Sequence, residues 1–192
     1  KQVIDEAKRL GISATVDKDD YNYSNSKAIL VTSIQTIVNG HSYFGMREAG
    51  NYPIGSIIID DVHACMDKII DQFMIKIDAE TDAYKELIAL FSSSLKDYNP
   101  KNYIDVVEMK DCRNNMLVPY WEWQRQQDNI YRILTKYNNS DNTSIYFGLP
   151  LIERCLETCD CIITASAIEI SPKGIDLDKI SSLEEASRRI YM

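Results

Sequence analysis

The sequence predicts an α/β fold: a partial parallel sheet with flanking helices, interrupted by a mostly helical insertion. Three observations carry that expectation. The short apolar run Ser56-Ile57-Ile58-Ile59 is followed at once by a long amphipathic helical pattern, the strand-then-helix order of a parallel sheet. An earlier run, Ala28-Ile29-Leu30-Val31, is also followed by a helical stretch. After a middle that is nearly all helical in pattern, β-branched residues return in Cys161–Ile170 and Arg188–Met192.

The elements follow in order. Val3, Ala7 and Leu10 share one face of a short helix that Gly11 ends. Ser13–Val16 is a strand, and Asp17–Ser26 a polar loop. Ala28–Val31, apolar and bounded by polar residues, reads as a buried strand. Thr32 or Ser33 caps the helix Ile34–Val38, which stops at Asn39-Gly40. His41–Tyr52 is loop, punctuated by Pro53 and Gly55. The three consecutive Ile of Ser56–Ile59 suit a strand covered on both faces.

Val62, Cys65, Met66, Ile69, Ile70, Phe73, Met74 and Ile77 then fall on one helical stripe. Tyr84, Leu87, Ile88, Phe91 and Leu95 mark a second helix. Tyr120, Trp123, Gln127, Ile130, Leu134 and Tyr137 mark a third, with Pro119 in its first turn. Asn138–Thr143 is a polar break, and Pro150–Thr158 is helical. Cys161–Ile170 reads as one long strand, Ile175–Ile180 as loop and Ser182–Ser187 as a short helix. Arg188–Met192 opens a last strand.

Composition bounds the function. The 192 residues are 45% hydrophobic and 26% charged, as in a globular domain. Lys and Arg number 21 against 29 Asp and Glu, a net charge of −8. Such a surface argues against a stand-alone, charge-driven nucleic-acid binder, which needs clustered cations. Five Cys without a regular repeat are no disulfide scaffold, so the expected compartment is reducing and cytoplasmic. No apolar run approaches the ~20 residues of a membrane span, and no membrane partner is expected. The chain begins without Met and within a helical pattern, which reads as a slice of a longer protein.

The segment with most chemistry is Asp60-Asp61-Val62-His63, directly after the Ile-rich strand. Ligands of open parallel sheets sit beyond the carboxyl ends of the strands. There, one carboxylate can hold Mg²⁺ while its neighbour accepts a proton from an attacking water. The plainer account is a helix start, where acids favour the positive end of the dipole.

That segment resembles motif II of superfamily-2 DExH (DEAD/DEAH-box) helicases. Further pieces fall in the family's order. Lys1–Ile12 is similar to the end of the helix after motif Ia. Ala28–Gly40 is similar to the strand, Thr and short helix upstream of motif II, where the loop after the strand touches the nucleic-acid backbone. Ser187–Met192 resembles the strand leading into motif III, whose Ser-Ala-Thr would begin one residue past Met192. The resemblance implies the first RecA-like motor domain of an ATP-dependent helicase, with residues 1–77 and 145–192 as motor core and 78–144 as the helical insertion. It implies ATP and Mg²⁺ as cofactors of the whole motor, and DNA or RNA as partner.

By position, Asp60 would bind Mg²⁺ through water. Asp61 would position and deprotonate the attacking water, and His63 would link the nucleotide site to motif III or the second motor domain. Thr32 and Ser33 would lie near the nucleic-acid backbone. At Asp61 the family usually has Glu. The shorter side chain withdraws the carboxylate by about one methylene, and errors near ~1 Å can lower rates ~100-fold. No Gly-x-x-x-x-Gly-Lys-Ser/Thr occurs in the chain, so the slice alone should bind ATP poorly and hydrolyse essentially none.

Other candidates are weaker. Cys155, Cys159 and Cys161 cluster but form no Cys-x-x-Cys pair, so buried thiols are preferred to a zinc or iron–sulfur site. Cys65 lies on an apolar stripe, the place of an inert thiol and not of a nucleophile paired with His41 or His63. Tyr120 and Trp123 are expected to face the insertion's own core. If the stretch Val118–Arg132 touches nucleic acid, Trp121, Arg125 and Arg132 are the residues to test. The competing function is a non-catalytic helical interaction or scaffold module, in which Asp60-Asp61-Val62-His63 only starts a helix. The two differ in geometry, since the motor places both ends of the chain in one sheet beside Ser56–Ile59.

Overall fold

The computed structural model of the protein describes residues 2–45, 54–175, 177, 180, 183 and 186–192. Its elements run α1 Gln2–Arg9, β1 Ala14–Thr15, α2 Tyr21–Ser24, β2 Ile29–Leu30, α3 Ile34–Ile37, β3 Ser56–Ile59, α4 Val62–Gln72 and β4 Ile75–Asp78. Helices α5 Asp82–Tyr98 and α6 Pro100–Tyr103 lead through a π turn, Ile104–Glu108, to β5 Asn115–Leu117. Then come α7 Tyr120–Arg125, α8 Gln127–Lys136, α9 Thr143–Ile152, a 3₁₀ stretch Glu153–Thr158, β6 Asp160–Thr164, β7 Ala167–Ser171 and β8 Arg188–Tyr191. The fold is mixed α/β. Much of the expected short helix Ser182–Ser187, and the expected loop around Tyr52 and Pro53, lie outside the described residues.

Three sheets form. Strands β1 and β2 pair in parallel, with Ala14 opposite Ile29. β3 and β8 also pair in parallel, from Ser56 opposite Arg188 to Ile59 opposite Tyr191. The third sheet is antiparallel, in the order β4-β7-β6-β5. The C-terminal strand therefore does lie beside Ser56–Ile59, whereas the N-terminal strands make a separate pair. The divisions at 77/78 and 144/145 fall inside β4 and α9.

Several expectations are corrected. β3 is covered on one face only: Ile57 and Ile59 are buried, and Ile58 is 59% exposed. Ile29 of β2 is likewise exposed. The stripe from Val62 does not continue as helix to Ile77, because α4 ends at Gln72 and Ile75–Asp78 is a strand. Cys161–Ile170 is a hairpin instead of one strand. Its turn is held by Thr164 Oγ1, which accepts from the Ala167 N–H at 3.0 Å and the Ser166 N–H at 3.3 Å. The polar loop Asp17–Ser26 contains α2, capped by the Asp20 carboxylate. The helix around Pro150 starts earlier, at Thr143, and Pro119 stands one residue before its helix.

The core is built where α5, α7, α8 and α9 cover the antiparallel sheet. Leu87, Phe91, Trp123, Leu134, Ile163 and Ile168 are among its buried members. Trp123 meets the expectation of a core residue and donates its indole N–H to the Leu156 carbonyl at 2.8 Å. The Tyr84 hydroxyl donates to the Thr164 carbonyl at 3.1 Å, pinning α5 to the β6 end of the hairpin. Gly40 ties the first third of the chain to α9, in the stretch that Pro150 disturbs. Its N–H donates to the Phe147 carbonyl at 2.8 Å, and a Cβ there would stand 2.5 Å from that oxygen.

One acid is buried with the core. Glu122 is 2% exposed and meets Arg125 at 2.6 Å, while Gln126 Nε2 donates to it at 3.2 Å. Burial raises its pKa most, but hydrogen bonds from Arg125, Gln126 and Ser94 together outweigh this and hold it below the ordinary glutamate value. A lowered folded pKa contributes stability above the unfolded value, lost as pH falls through the folded one. In Arg125→Ala the burial persists without its main counterweight. Urea melts should find the variant weakest against wild type near neutral pH, with the gap closing on acidification through the carboxylate range. A gap independent of pH would refute this ion pair's role.

Candidate functional site

The acidic pair lies at the carboxyl end of β3, on the turn that starts α4. Its backbone is fixed from three sides. Asp61 adopts a left-handed conformation, φ +48°, which few residues other than Gly, Asn and Asp tolerate. Its carboxylate accepts the Ala64 N–H at 3.3 Å, satisfying one of the free donors at the start of α4. The Asp60 carbonyl accepts from Cys65 Sγ at 3.4 Å. On the far side, the Met192 N–H donates to the Ile59 carbonyl at 3.0 Å, and the Val62 N–H donates to the Met192 carbonyl at 3.1 Å. The last described residue thus sits against the turn carrying the two acids.

This geometry offers its own reason for Asp at position 61. A short carboxylate suits both a left-handed residue and a helix cap, and Glu is the poorer cap. The helix-start account is therefore realised physically. It does not exclude a second job, because a capping carboxylate keeps acceptor capacity for water or a cation.

Asp60, Asp61 and His63 are all exposed. Among the described residues no group of three or more His, Cys, Asp or Glu stands ready to hold a metal. The pair thus matches only the sparse, water-rich coordination that Mg²⁺ accepts. Beside it, between α4 and the β3–β8 pair, lies a cavity of about 260 Å³ lined by Ile59, Val62, Met66, Ile69, Leu183 and Tyr191. Its walls are mostly apolar, with Arg189 the one charged residue among the described ones lining it, and neither Asp60 nor Asp61 lines it.

Thr32 and Ser33 follow β2 and are exposed. Ser33 occupies the cap position of α3, but its hydroxyl lies 3.0 Å from Thr36 Oγ1 instead of capping the backbone. α3 packs against α4. The Thr32–Ser33 and Asp60–Asp61 turns therefore begin the two helices of one packed pair.

The cysteines are all free. Cys159 and Cys161 are buried, and burial drives the Cys161 thiol far above its ordinary pKa. Such a thiol is neither a nucleophile nor a ready ligand. Cys112 is exposed, and Cys65 half-buried on α4. His41 stacks on Tyr146, with ring centroids 3.9 Å apart.

A second cleft went unforeseen. It is about 430 Å³ and lies where the end of α5, β5 and the start of α7 meet, with Tyr98, Tyr120 and Trp121 at its mouth. Tyr120, expected in the core, is 67% exposed. Tyr98 continues the apolar spacing of α5 from Leu95, which reads as burial. The Asn99-Pro100 stop turns the chain there and leaves the ring outside.

No helix of the described residues is long and apolar enough to cross a membrane. No protein-family profile, curated protein sequence or solved structure gave a significant match to the chain.

Proposed function

We propose that this chain is part of the first motor domain of an ATP-dependent nucleic-acid helicase or translocase of the DExH type, acting inside the cell. In this reading Asp60 and Asp61 supply the Mg²⁺ and water side of the ATPase site. The observation that carries it is the acidic turn at the carboxyl end of β3, a strand paired in parallel with the terminal strand β8. Ligand sites of parallel sheets lie at that end. The Met192 contacts bring whatever follows β8 to the same turn, as a motif III partner for His63 requires. The outward rows support the reading too. Ile58 and Ile190 are cross-strand partners, both about half exposed, and parallel strands are ordinarily covered on both faces.

ATP binding and hydrolysis then need a phosphate-binding loop and a second motor domain joined to this chain. In such a polypeptide, nucleic-acid-stimulated ATP hydrolysis should vanish with Asp60→Ala while the fold persists. Undiminished hydrolysis would reject the site. The second reading, a non-catalytic interaction module, is favoured by one observation, the Asp61 cap on Ala64. It expects Asp60 variants to be silent in every assay.

A further inference from the structure

We infer that the cleft between α5, β5 and α7 is a stacking platform for a base of single-stranded nucleic acid, with Trp121 as the stacking ring. The inference rests on the motor reading for its choice of partner and on the geometry of the cleft for everything else. Trp121 is 51% exposed and held edge-on between two rings, Tyr98 at 5.5 Å and Tyr120 at 5.4 Å between centroids. Two neighbours at interplanar angles of 77° and 82° restrain the indole, while half of its surface stays open to solvent. Three large aromatics exposed together mark a binding surface far more often than isolated apolar residues do.

The volume and the polar groups suit one flat heterocycle. About 430 Å³ is within the usual range of ligand clefts. Asn99 uses its Oδ1 to accept from the Asn102 N–H, and Asn102 uses its amide nitrogen to donate to the Asn115 carbonyl. Among the described residues, the Asn99 amide N–H₂ and Asn102 Oδ1 have no other protein partner. Both residues line the cleft, so a spare donor and a spare acceptor stand beside it, the pair of functions that a base edge presents in reverse. The Trp121 indole N–H is similarly unengaged by protein.

The charge pattern decides the style of binding. Among the described residues Lys173, in the turn after β7, is the only cation lining the cleft. It can turn to a phosphate only by leaving Asp160, which also lines the cleft and meets it at 3.6 Å with both side chains largely exposed. One Lys can reach one phosphate, so base stacking and not counterion release supplies the affinity. Of the other residues that sequence offered, Arg125 is committed to Glu122 and Ser94, and Arg132 to Asn129. Neither lines the cleft.

The two Trp make the test direct, since Trp121 is exposed and Trp123 buried. The chain is titrated against dye-labelled single-stranded oligothymidylate of about 12 nucleotides, within the usual site sizes, with the dye's anisotropy reading affinity in every variant and Trp fluorescence followed beside it. The expected result is quenching with a shallow salt dependence, a log–log slope of about −0.7 for one phosphate contact on a single strand. Trp121→Ala should weaken binding about tenfold or more, Tyr98→Ala should weaken it too, and Trp121→Phe should keep much of it. The Trp123 signal reports that each variant is folded.

Equal affinity in Trp121→Ala would overturn the inference, as would a steep salt slope without quenching. Free thymidine binding as tightly as the strand would overturn the choice of a strand. A proline-rich peptide binding the same rings more tightly would assign the cleft to protein recognition instead. Asp60→Ala should leave the titration unchanged, so failure of the platform and failure of the ATPase site are read separately.

Discussion

Phe91→Ala should lower the unfolding free energy by about 3–5 kcal/mol, the usual loss for a fully buried Phe. Phe91 is entirely inaccessible and faces Trp123 at 6.1 Å between ring centroids, where α5 meets α7. The size of the loss depends on whether neighbours can fill the hole. Here they are restrained, because the Trp123 indole is tied to the Leu156 carbonyl and cannot follow the missing ring without giving up that bond. The effect should therefore sit in the upper half of the range. A domain holds only ~5–15 kcal/mol in total, so the variant should be marginal at 37 °C. Urea unfolding measures it, with Phe147→Ala as control, a partly exposed ring expected to cost far less. Equal losses at the two positions would mean that the α5–α7 contact is not the centre of the core.

The largest functional effect is expected at Asp60. In a polypeptide joining this chain to a phosphate-binding loop and a second motor domain, Asp60→Ala should reduce ATP turnover by at least ~10³-fold, since an Mg²⁺ ion contributes several kcal/mol of charge stabilisation in phosphoryl transfer. The substitution removes no side-chain hydrogen bond or ion pair within the described residues. The Asp60 side chain is exposed, and the hydrogen bond from Cys65 goes to its backbone carbonyl. Unfolding should thus be nearly unchanged while turnover collapses. A proportionate fall in stability would make the activity loss uninformative about Mg²⁺ and would count against the assignment.

The strand–acid–helix unit was legible because each part is local. Ile57–Ile59 is apolar, Asp61 is a good cap, and the stripe from Val62 has a clear period. The terminal strand was legible for the same reason. What failed was non-local or ambiguous in period. Phe73, Met74 and Ile77 fit a helical stripe, yet Ile75 and Ile77 also alternate with Lys76 and Asp78, and pairing with β7 decides for the strand. That partner lies some ninety residues away, beyond what a sequence window carries. The hairpin turn at Ala165-Ser166 carries no Gly or Pro, and Thr164 supplies the turn through its hydroxyl. The antiparallel sheet was missed as a whole, since its four strands come from both the expected insertion and the expected core. Exposure was misjudged at Tyr120 because periodicity reports phase along a helix and not where the helix begins or ends.

The candidate site divides in the same way. Asp60 and Asp61 stand where the strand order puts them, but the helix cap that uses Asp61 depends on a left-handed φ that the sequence does not announce. The Met192 contacts depend on parallel pairing with β8. Those contacts give the acidic turn its neighbour, and they follow from tertiary structure alone.

The sharpest measurement separates the two jobs of Asp61. Asn caps helices as well as Asp and tolerates the left-handed backbone, so Asp61→Asn preserves the helix start while removing the base. In a polypeptide joining this chain to a phosphate-binding loop and a second motor domain, unfolding should be unchanged and turnover lost by two orders of magnitude or more, roughly the share of a general base. Unchanged unfolding with unchanged turnover would leave Asp61 a helix cap and nothing else.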